Sequence, residues 1–379
     1  MEIRYPDYYG KFKCLAGKCP DTCCAGWEIP VDQKSEKYYQ KLQKEAVKSG
    51  DPGHRAFAKK LQKHIRGGHI VGNGNYCPFL DQEGLCEMYK ELGPSALCRT
   101  CRQHPRHMED YGDLHEAVLL LSCPEAARLI LWESDGGYHV RQIPERTGNL
   151  DGIDRELLSV LLSVREKTEA IIRNRELSVD RRMALALSLC HDVQGRLNRK
   201  DLSGVKEVLK RRGEVRGGGK KNARFFLMAD FMEQLAETDV ICAEFADRLE
   251  ACRRLLYHSP DSRGRYEEDR VKFLRENPGL REEWENLLGY FMYSFFLGAL
   301  YDRDALGKLK LSVLCTMAAE DLDLAAWRSG HAVEREIQIE ICHGLGRQVE
   351  NSARNREKLE KAMRKQAFSS RRLLNGLLE

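Results

Sequence analysis

Nine of the fourteen cysteines lie in the first third of this 379-residue sequence. Thiolates bind soft metals well, and spacings of two to four residues, as found here, let one loop offer two thiolates to one metal at small entropic cost. Cys98 and Cys101, with two residues between them, form the strongest single pair. The nine residues are Cys14, Cys19, Cys23, Cys24, Cys77, Cys86, Cys98, Cys101 and Cys123. We therefore predict that this region binds metal through its cysteines.

The spacing leaves the number and the kind of metal sites open. Nine cysteines suffice for one four-cysteine site with several buried thiols, or for two such sites with one cysteine left over. The side chains of adjacent residues are expected to diverge, so Cys23 and Cys24 are hard to use in one site, and one of them is expected to serve a second site or the core. Four thiolates can hold either Zn²⁺ or an iron–sulfur cluster.

The remaining five cysteines follow the pattern of core residues. Cys242 and Cys252 share an apolar stripe whose members recur at steps of three and four residues, which is one face of a helix. The other three occur in similar stripes. We assign all five to core packing: Cys190, Cys242, Cys252, Cys315 and Cys342.

A group of basic residues surrounds the Cys98–Cys101 pair, consisting of Arg99, Arg102, His104, Arg106 and His107. Positive charge lowers the pKa of a thiol and offsets the negative charge of a thiolate-bound cluster. The same residues are also suited to holding the carboxylate of an anionic ligand. A solvated basic loop is the third interpretation.

Composition argues against several classes of protein. Lys and Arg number 62 against 58 Asp and Glu, so the net charge of +4 does not indicate a nucleic-acid binder. The first residues lack the apolar segment of a secretory signal, which predicts a cytoplasmic protein with reduced thiols. The most apolar run, Leu287 to Tyr301, is shorter than the roughly 20 residues of a membrane-spanning helix and predicts a buried core helix. Oligomeric state is left open.

The sequence predicts a mostly α protein in two parts. Residues 1–131 should form a cysteine-rich metal-binding region of loops and short helices, with two helices between Ser35 and Ile65. Residues 151–379 carry amphipathic stripes and should form an all-α domain. Its predicted helices include Leu157–Ile172, Met183–Leu197, Phe231–Leu256, Trp284–Tyr301 and a final long helix over Glu334–Met363, with an interruption at Gly344 and Gly346. The glycine-rich basic stretch 211–221 is interpreted as a solvated linker, with a substrate-gating loop as the alternative.

Several blocks of sequence, in the same order, resemble the flagellin lysine-N-methylase family. The N-terminal region of that family belongs to a wider set of zinc- or iron-chelating proteins with a CxxCxxCC-type motif. The resemblance extends to a closing helix with Arg347, Glu350, Asn351, Ser352 and Asn355. The matching N-terminal blocks are Cys19-Pro20-Asp21-Thr22-Cys23-Cys24-Ala25-Gly26-Trp27, Cys77-Pro78-Phe79-Leu80, Gly84-Leu85-Cys86, Leu97-Cys98-Arg99-Thr100-Cys101-Arg102 and Leu121-Ser122-Cys123-Pro124-Glu125.

The resemblance implies transfer of methyl groups from S-adenosylmethionine to lysine Nζ of a protein substrate, flagellin, by an enzyme with an iron–sulfur cluster of the 4Fe–4S type. The sequence contains no Gly-x-Gly-x-x-Gly fingerprint after a predicted strand, and no Cys-x3-Cys-x2-Cys triplet typical of radical enzymes. Direct displacement of the methyl group from the sulfonium by the lysine nitrogen needs neither of these motifs. It requires a lysine nitrogen that has lost its proton and is aligned with the methyl carbon.

For this reaction we single out polar and aromatic residues near the cysteine blocks. Asp21 and Glu116 are the candidate bases, and Trp27 is a candidate face for a cationic sulfonium or ammonium group. The donor carboxylate would be held by Arg99, Arg102 and Arg106. Ordinary structural roles are at least as common for such residues, including a helix cap, an ion pair or a core aromatic.

A second hypothesis comes from a different class of protein. In it, the metal is zinc or an iron–sulfur cluster that is structural or senses redox state, and the helical domain binds a partner without catalysis. An enzyme needs a cavity between the cysteine region and the helices that is large enough for a nucleoside, whereas a scaffold needs only a packed interface.

Overall fold

The computed structural model describes residues 2–27, 29–72, 76–142, 152–211, 215, 219–258 and 261–379. Helices dominate these residues, as the sequence predicts. In the first part the helices are α1 (Gln33–Ser49), α2 (Pro52–His64), α3 (Glu87–Leu92), α4 (Arg99–Gln103) and α5 (Pro124–Trp132). The later helices are α6 (Arg155–Ile172), α7 (Val179–Leu197), α8 (Leu202–Leu209), α9 (Ala223–Ala236), α10 (Ala243–Leu256), α11 (Ser262–Glu276), α12 (Leu280–Phe295), α13 (Ala299–Asp302), α14 (Ala305–Arg328), α15 (Arg335–Glu350), α16 (Ala353–Ala362) and α17 (Ser370–Leu377).

The two predicted helices between Ser35 and Ile65 are confirmed as α1 and α2, and local capping explains their ends. The Asp32 carboxylate accepts a hydrogen bond from the Ser35 amide at the start of α1. Gly50 closes that helix in the left-handed conformation, with φ of 76°. Asp51 caps α2, and Pro52 occupies its first turn, where a missing N–H costs nothing.

The first part of the chain also contains two small sheets, which the sequence pattern does not predict. The strands are β1 (Glu2–Pro6), β2 (Ile29–Pro30), β3 (Ile65–Arg66), β4 (His69–Ile70), β5 (Arg106–Tyr111), β6 (Leu114–Leu119) and β7 (Tyr138–Gln142). The larger sheet has the order β5-β6-β1-β7, with β1 parallel to β6 and the other pairs antiparallel. Its central strand β6 is buried along its whole length, which removes the alternating polar pattern that marks a strand in a sequence.

Two hydrophobic cores form in the described residues. The larger core joins both ends of the chain, from Tyr8 through Leu119 and Phe291 to Leu377. The smaller core is confined to the cysteine region and consists of Ile29, Val31, Tyr39, Leu61, Ile70, Phe79, Met88 and Cys98. The predicted boundary between the two parts falls partly on 143–151, and the basic stretch 211–221 falls partly on 212–214 and 216–218, all of which lie outside the described residues.

The predicted stripes Leu157–Ile172 and Met183–Leu197 are confirmed as α6 and α7, and the five cysteines assigned to the core are buried. Around them, α14 is buried on every side from Ala305 to Ala325 and packs against α7, α9, α10, α12 and α15. A helix with no exposed face has no amphipathic stripe, so α14 has no periodic signal. None of the described helices is both long and apolar enough to cross a bilayer.

The final helix differs from the prediction. It breaks at Asn351 and Ser352, where the Ser352 hydroxyl caps α16, and not at Gly344 and Gly346. Both glycines lie inside α15, and each is required there because other groups approach the helix backbone closely. A Cβ on Gly346 would lie 2.7 Å from the Ser122 amide nitrogen, and one on Gly344 would lie 2.8 Å from the Phe245 ring.

Gly346→Ala is therefore expected to destabilise the protein by about 1–3 kcal/mol, the usual cost of overpacking, because the neighbouring atoms belong to backbone that cannot turn aside. Urea denaturation would measure the change. Gly289→Ala in α12 is the control, since nothing lies within 4 Å of the added carbon. It should stabilise by about 0.5–1 kcal/mol through helix propensity. Equal stabilisation by both substitutions would contradict the close approach at Gly346.

Candidate functional site

All nine cysteines of the first part are free thiols, and their interactions divide them into two sets. In the first set, Cys19 and Cys14 interact with Cys123. The pKa of Cys123 is raised to about 11, mainly by burial and further by these two thiols. Cys23 interacts with Cys123 and Cys14 as well. The first set is thus Cys14, Cys19, Cys23 and Cys123, and the second is Cys24, Cys77, Cys86, Cys98 and Cys101.

Thiol hydrogen bonds connect members of these sets. A bond from Cys101 is the main cause that lowers the pKa of Cys98 to about 7, and Cys24 bonds to both Cys23 and Cys77. The Cys23 and Cys24 thiols lie together in a turn, contrary to the expected divergence of their side chains, whereas their use in different sites stays a prediction. The two sets meet at this adjacent pair.

The donor chemistry of this region suits a thiolate-bound metal. Cys77, Cys86 and Cys101 pack against the smaller core, in which Phe79 is fully buried. Such surroundings exclude water from a cluster. In the part of the chain that the structure describes, no group of three or more His, Cys, Asp or Glu side chains is arranged to hold one metal ion.

The basic residues around the Cys98–Cys101 pair differ in their surroundings. The guanidinium of Arg106 lies 4.8 Å from the centre of the Phe12 ring and donates to the Phe12 carbonyl. Arg99 and Arg102 are exposed at the surface. The pKa of His104 is lowered to about 4, chiefly by burial, so this imidazole is neutral at pH 7 and does not belong to a cationic group.

Asp21 joins the cysteine region to the helical domain. Its carboxylate lies 2.9 Å from Nη1 of Arg347 on α15, and the same guanidinium donates to the Thr22 carbonyl. Gly26, with φ of 81°, lies against the Ile241 carbonyl, where a Cβ would collide. These contacts dock the loop that carries the first cysteines onto α15. The role of Asp21 as a base stays a prediction.

A cavity of about 410 Å³ lies between the cysteine region and the helices, within the range of roughly 300–1,000 Å³ typical of ligand sites. Trp27 lines it from the cysteine side, where its Nε1 donates to the Cys23 carbonyl at 2.9 Å and its ring lies 5.7 Å from that of His104. The cavity is acidic and aromatic. Its carboxylates and tyrosines are Glu109, Glu116, Glu350, Glu357, Glu360, Tyr111 and Tyr293.

Two of these carboxylates differ in how they are held. Both oxygens of Glu116 are bound by the buried guanidinium of Arg165, at 2.7 and 2.5 Å, so this carboxylate is engaged in a bidentate ion pair. Glu350 accepts hydrogen bonds from the Tyr290 hydroxyl and, at 3.3 Å, from the Ser122 amide. Burial raises the pKa of Glu350 to about 7.

Glu350 was not among the site residues predicted from the sequence, although it belongs to the block that resembles the family's closing helix. One helical turn separates it from Arg347, so α15 directs one residue to the cysteine loop and the other to the cavity. A glutamate with a raised pKa in a cavity is a candidate for proton transfer.

Comparison with known proteins identifies relatives of this chain. Residues 165–375 match the FliB lysine N-methylase C-terminal domain. A lysine-N-methylase from Salmonella choleraesuis is 34% identical over 138 residues, which cover 36% of this chain and 34% of that protein. A lysine-N-methylase from Salmonella typhimurium is 33% identical over the same shares of the two chains.

The flagellar biosynthetic protein FliU from Salmonella muenchen is 32% identical over 138 residues, which cover 80% of its length. The alignment thus spans about a third of the two lysine-N-methylases. No solved structure matches this chain. Because the domain match covers more than half of its residues, the chain belongs to the FliB lysine N-methylase family.

Proposed function

We propose that the protein is an S-adenosylmethionine-dependent lysine N-methyltransferase that acts on a protein substrate, flagellin, and that the acceptor lysine binds in the cavity beside Trp27. The observation that carries this proposal is the acidic, aromatic cavity with Glu350 in its wall, whose pKa is raised to about 7. Carboxylates and aromatic faces favour a cationic side chain.

The reaction is a direct displacement. The lysine Nζ lone pair forms a bond to the methyl carbon, the bond from that carbon to the sulfonium breaks, and its electron pair stays on the sulfur. A lysine with the usual pKa of about 10.4 is mostly protonated at pH 7, so a proton must first leave. Glu350 would accept it, and Tyr290, which donates to one Glu350 oxygen, would orient the carboxylate.

Trp27 and Tyr111 would contribute the aromatic surfaces of the site, because the Tyr293 ring is already stacked on Tyr138 and contacts the Arg165 guanidinium. The negative face of an aromatic ring attracts the positive charge of both the ammonium group of lysine and the sulfonium group of the methyl donor. The hydrogen bond from Trp27 to the Cys23 carbonyl holds one of these rings against the loop that carries the first cysteines. The exposed Arg99 and Arg102 are available for the donor carboxylate, and Arg106 would join them only by leaving Phe12.

We further propose that cysteines among these nine bind an iron–sulfur cluster, with zinc as the alternative metal. A 4Fe–4S cluster held by these thiolates would supply a Lewis-acidic iron for the amino and carboxylate groups of a ligand, provided that one position lacked a cysteine. The soft thiolates, the apolar surroundings and the two sets that meet at Cys23 and Cys24 support this assignment.

Anaerobically purified protein incubated with S-adenosylmethionine and flagellin should yield 14-dalton increments on lysine by mass spectrometry. Calorimetry should detect binding of the donor. Absence of both, with the metal fully loaded, would favour a non-catalytic metal-binding scaffold or redox sensor. Methylation that requires a strong one-electron reductant would overturn direct displacement and leave the methyltransferase assignment standing.

A further inference from the structure

One edge of the larger sheet borders the proposed lysine site. Among the residues that the structure describes, strand β5 (Arg106–Tyr111) pairs with β6 alone and forms an edge of the sheet. His107, Glu109 and Tyr111 share one face of β5, and all three line the cavity of about 410 Å³. Most of the strand is exposed, including Met108, which is 52% accessible.

The hydrogen-bond register shows which backbone groups point away from the sheet. The Leu120 amide donates to the Pro105 carbonyl, and residues of β5 and β6 pair in antiparallel register from Arg106 with Leu119 onward. Bonded and non-bonded pairs alternate in such a ladder, so His107 and Glu109 bond to β6. Arg106, Met108 and Asp110 therefore direct their N–H and C=O groups outward. The Asp110 carbonyl is 3.5 Å from the Tyr301 hydroxyl.

We propose that an extended segment of the substrate protein adds to β5 as an antiparallel strand and thereby delivers its lysine to the cavity. This inference rests on the proposed function and specifies how that site takes its substrate. Residues that lie opposite each other on neighbouring strands point to the same face. A substrate residue opposite Glu109 therefore faces the cavity, while its neighbour opposite Met108 exchanges two backbone hydrogen bonds with β5.

The charges that line the cavity favour lysine as the substrate residue that faces it. Glu109, Glu350, Glu357 and Glu360 line the cavity, whose basic side chains are His107 and Arg356. Glu357 pairs with Lys361 and Glu360 with Lys308, both outside the lining, so Glu350 is the wall carboxylate without a basic partner among the ion pairs of the described residues. His107 already pairs with Glu109 at 2.7 Å. A lysine-bearing strand meets opposite charge at the carboxylates of this wall.

The probe is a short synthetic peptide with one central lysine between threonine and valine residues, and its binding is measured by calorimetry without a methyl donor. N-methylation of the peptide nitrogen that faces Met108 should weaken binding about tenfold or more, the scale of a lost hydrogen bond plus a clash. N-methylation of the lysine's own backbone nitrogen, which points away from β5, should leave the affinity unchanged. These peptides test the inference on the unaltered protein.

A matched pair of protein variants tests the same contact. Met108→Pro removes an outward N–H without removing a bond to β6, and it should weaken binding as the first N-methylated peptide does. Met108→Ala keeps the N–H and should bind like the unaltered protein. Hydrogen exchange should show protection of the Met108 amide when the peptide binds.

The outcomes separate the two proposals. Lysine methylation that is equally efficient with all the peptides and variants would overturn strand addition and leave the enzyme assignment standing. Methylation of intact flagellin without any peptide binding would overturn it too. Register-dependent binding without methyl transfer would support strand addition and overturn the proposed function.

Discussion

Replacing Glu350 with glutamine is expected to slow lysine methylation at pH 7 by about 100-fold or more, the scale typical of a lost general base. The substitution keeps the shape of the side chain and removes the group that would accept the lysine proton. Initial rates by mass spectrometry would measure the loss. A Glu350→Gln variant with the rate of the unaltered protein would remove Glu350 from the mechanism.

The pH dependence gives a second readout of the same change. The pKa of Glu350 is raised to about 7, chiefly by burial, and a base acts only when ionised. The rate should therefore rise with pH through this value in a one-proton step. In the glutamine variant that step should vanish, while the rise that comes from the lysine's own amine remains. A profile of kcat/KM against pH would separate the two.

Glu169→Gln is the matched control. The Glu169 carboxylate accepts a hydrogen bond from the Tyr138 hydroxyl at 2.8 Å, and burial raises its pKa, as Tyr290 and burial act on Glu350. It lines a different cavity, one of about 300 Å³. Because Glu169 also lies 3.8 Å from Arg165, which holds Glu116 in the cavity wall, a comparable loss of rate in Glu169→Gln would show that the effect of Glu350→Gln reflects damage to the packing around the site.

The direction in which Glu350→Gln changes the free energy of unfolding also follows from this pKa. A folded pKa above the value of about 4.3 for an unfolded glutamate means that the protonated form favours folding. That contribution is present below the unfolded pKa and is lost as the pH rises through the folded pKa. The permanently neutral Glu350→Gln should thus be at least as stable as the unaltered protein above pH 7, so lost activity there reports lost chemistry.

The second large effect is expected from serine substitutions of the cysteines that bind the metal, which should remove it. Anaerobically purified protein should absorb visible light and contain iron and acid-labile sulfide, and Cys98→Ser and Cys101→Ser should each lose the metal because a hydroxyl is a poor ligand for a soft metal. Iron and sulfide analysis would measure this. Colourless protein with stoichiometric zinc would contradict an iron–sulfur cluster.

Cys252→Ser is the control with matched burial. Cys98 and Cys252 are each 1% accessible, and Cys252 lies near the Asp321 carbonyl in the larger core. This substitution should cost some packing and keep the metal. If Cys252→Ser strips the metal while Cys98→Ser retains it, the division of the cysteines into metal ligands and core residues is wrong.

Elements that depend on local sequence were predictable. The caps Asp32 and Asp51 and the break at Gly50 determine α1 and α2 with information from neighbouring residues. Stripes at helical steps identified α6 and α7 and the five core cysteines, because one buried face and one exposed face leave a periodic signal. The cysteine spacings predict metal binding on similar local grounds, ligand type and loop closure, and this stays a prediction.

Properties that depend on distant pairing required the tertiary structure. Strand β1 pairs with β6 across more than a hundred residues of sequence, and α14 is enclosed on every side, so neither carries a local pattern. The sequence marked Arg347 and Glu350 as one motif. Only packing decided that Arg347 meets Asp21 while Glu350 enters a cavity where burial raises its pKa, because desolvation depends on what the rest of the chain places around a group.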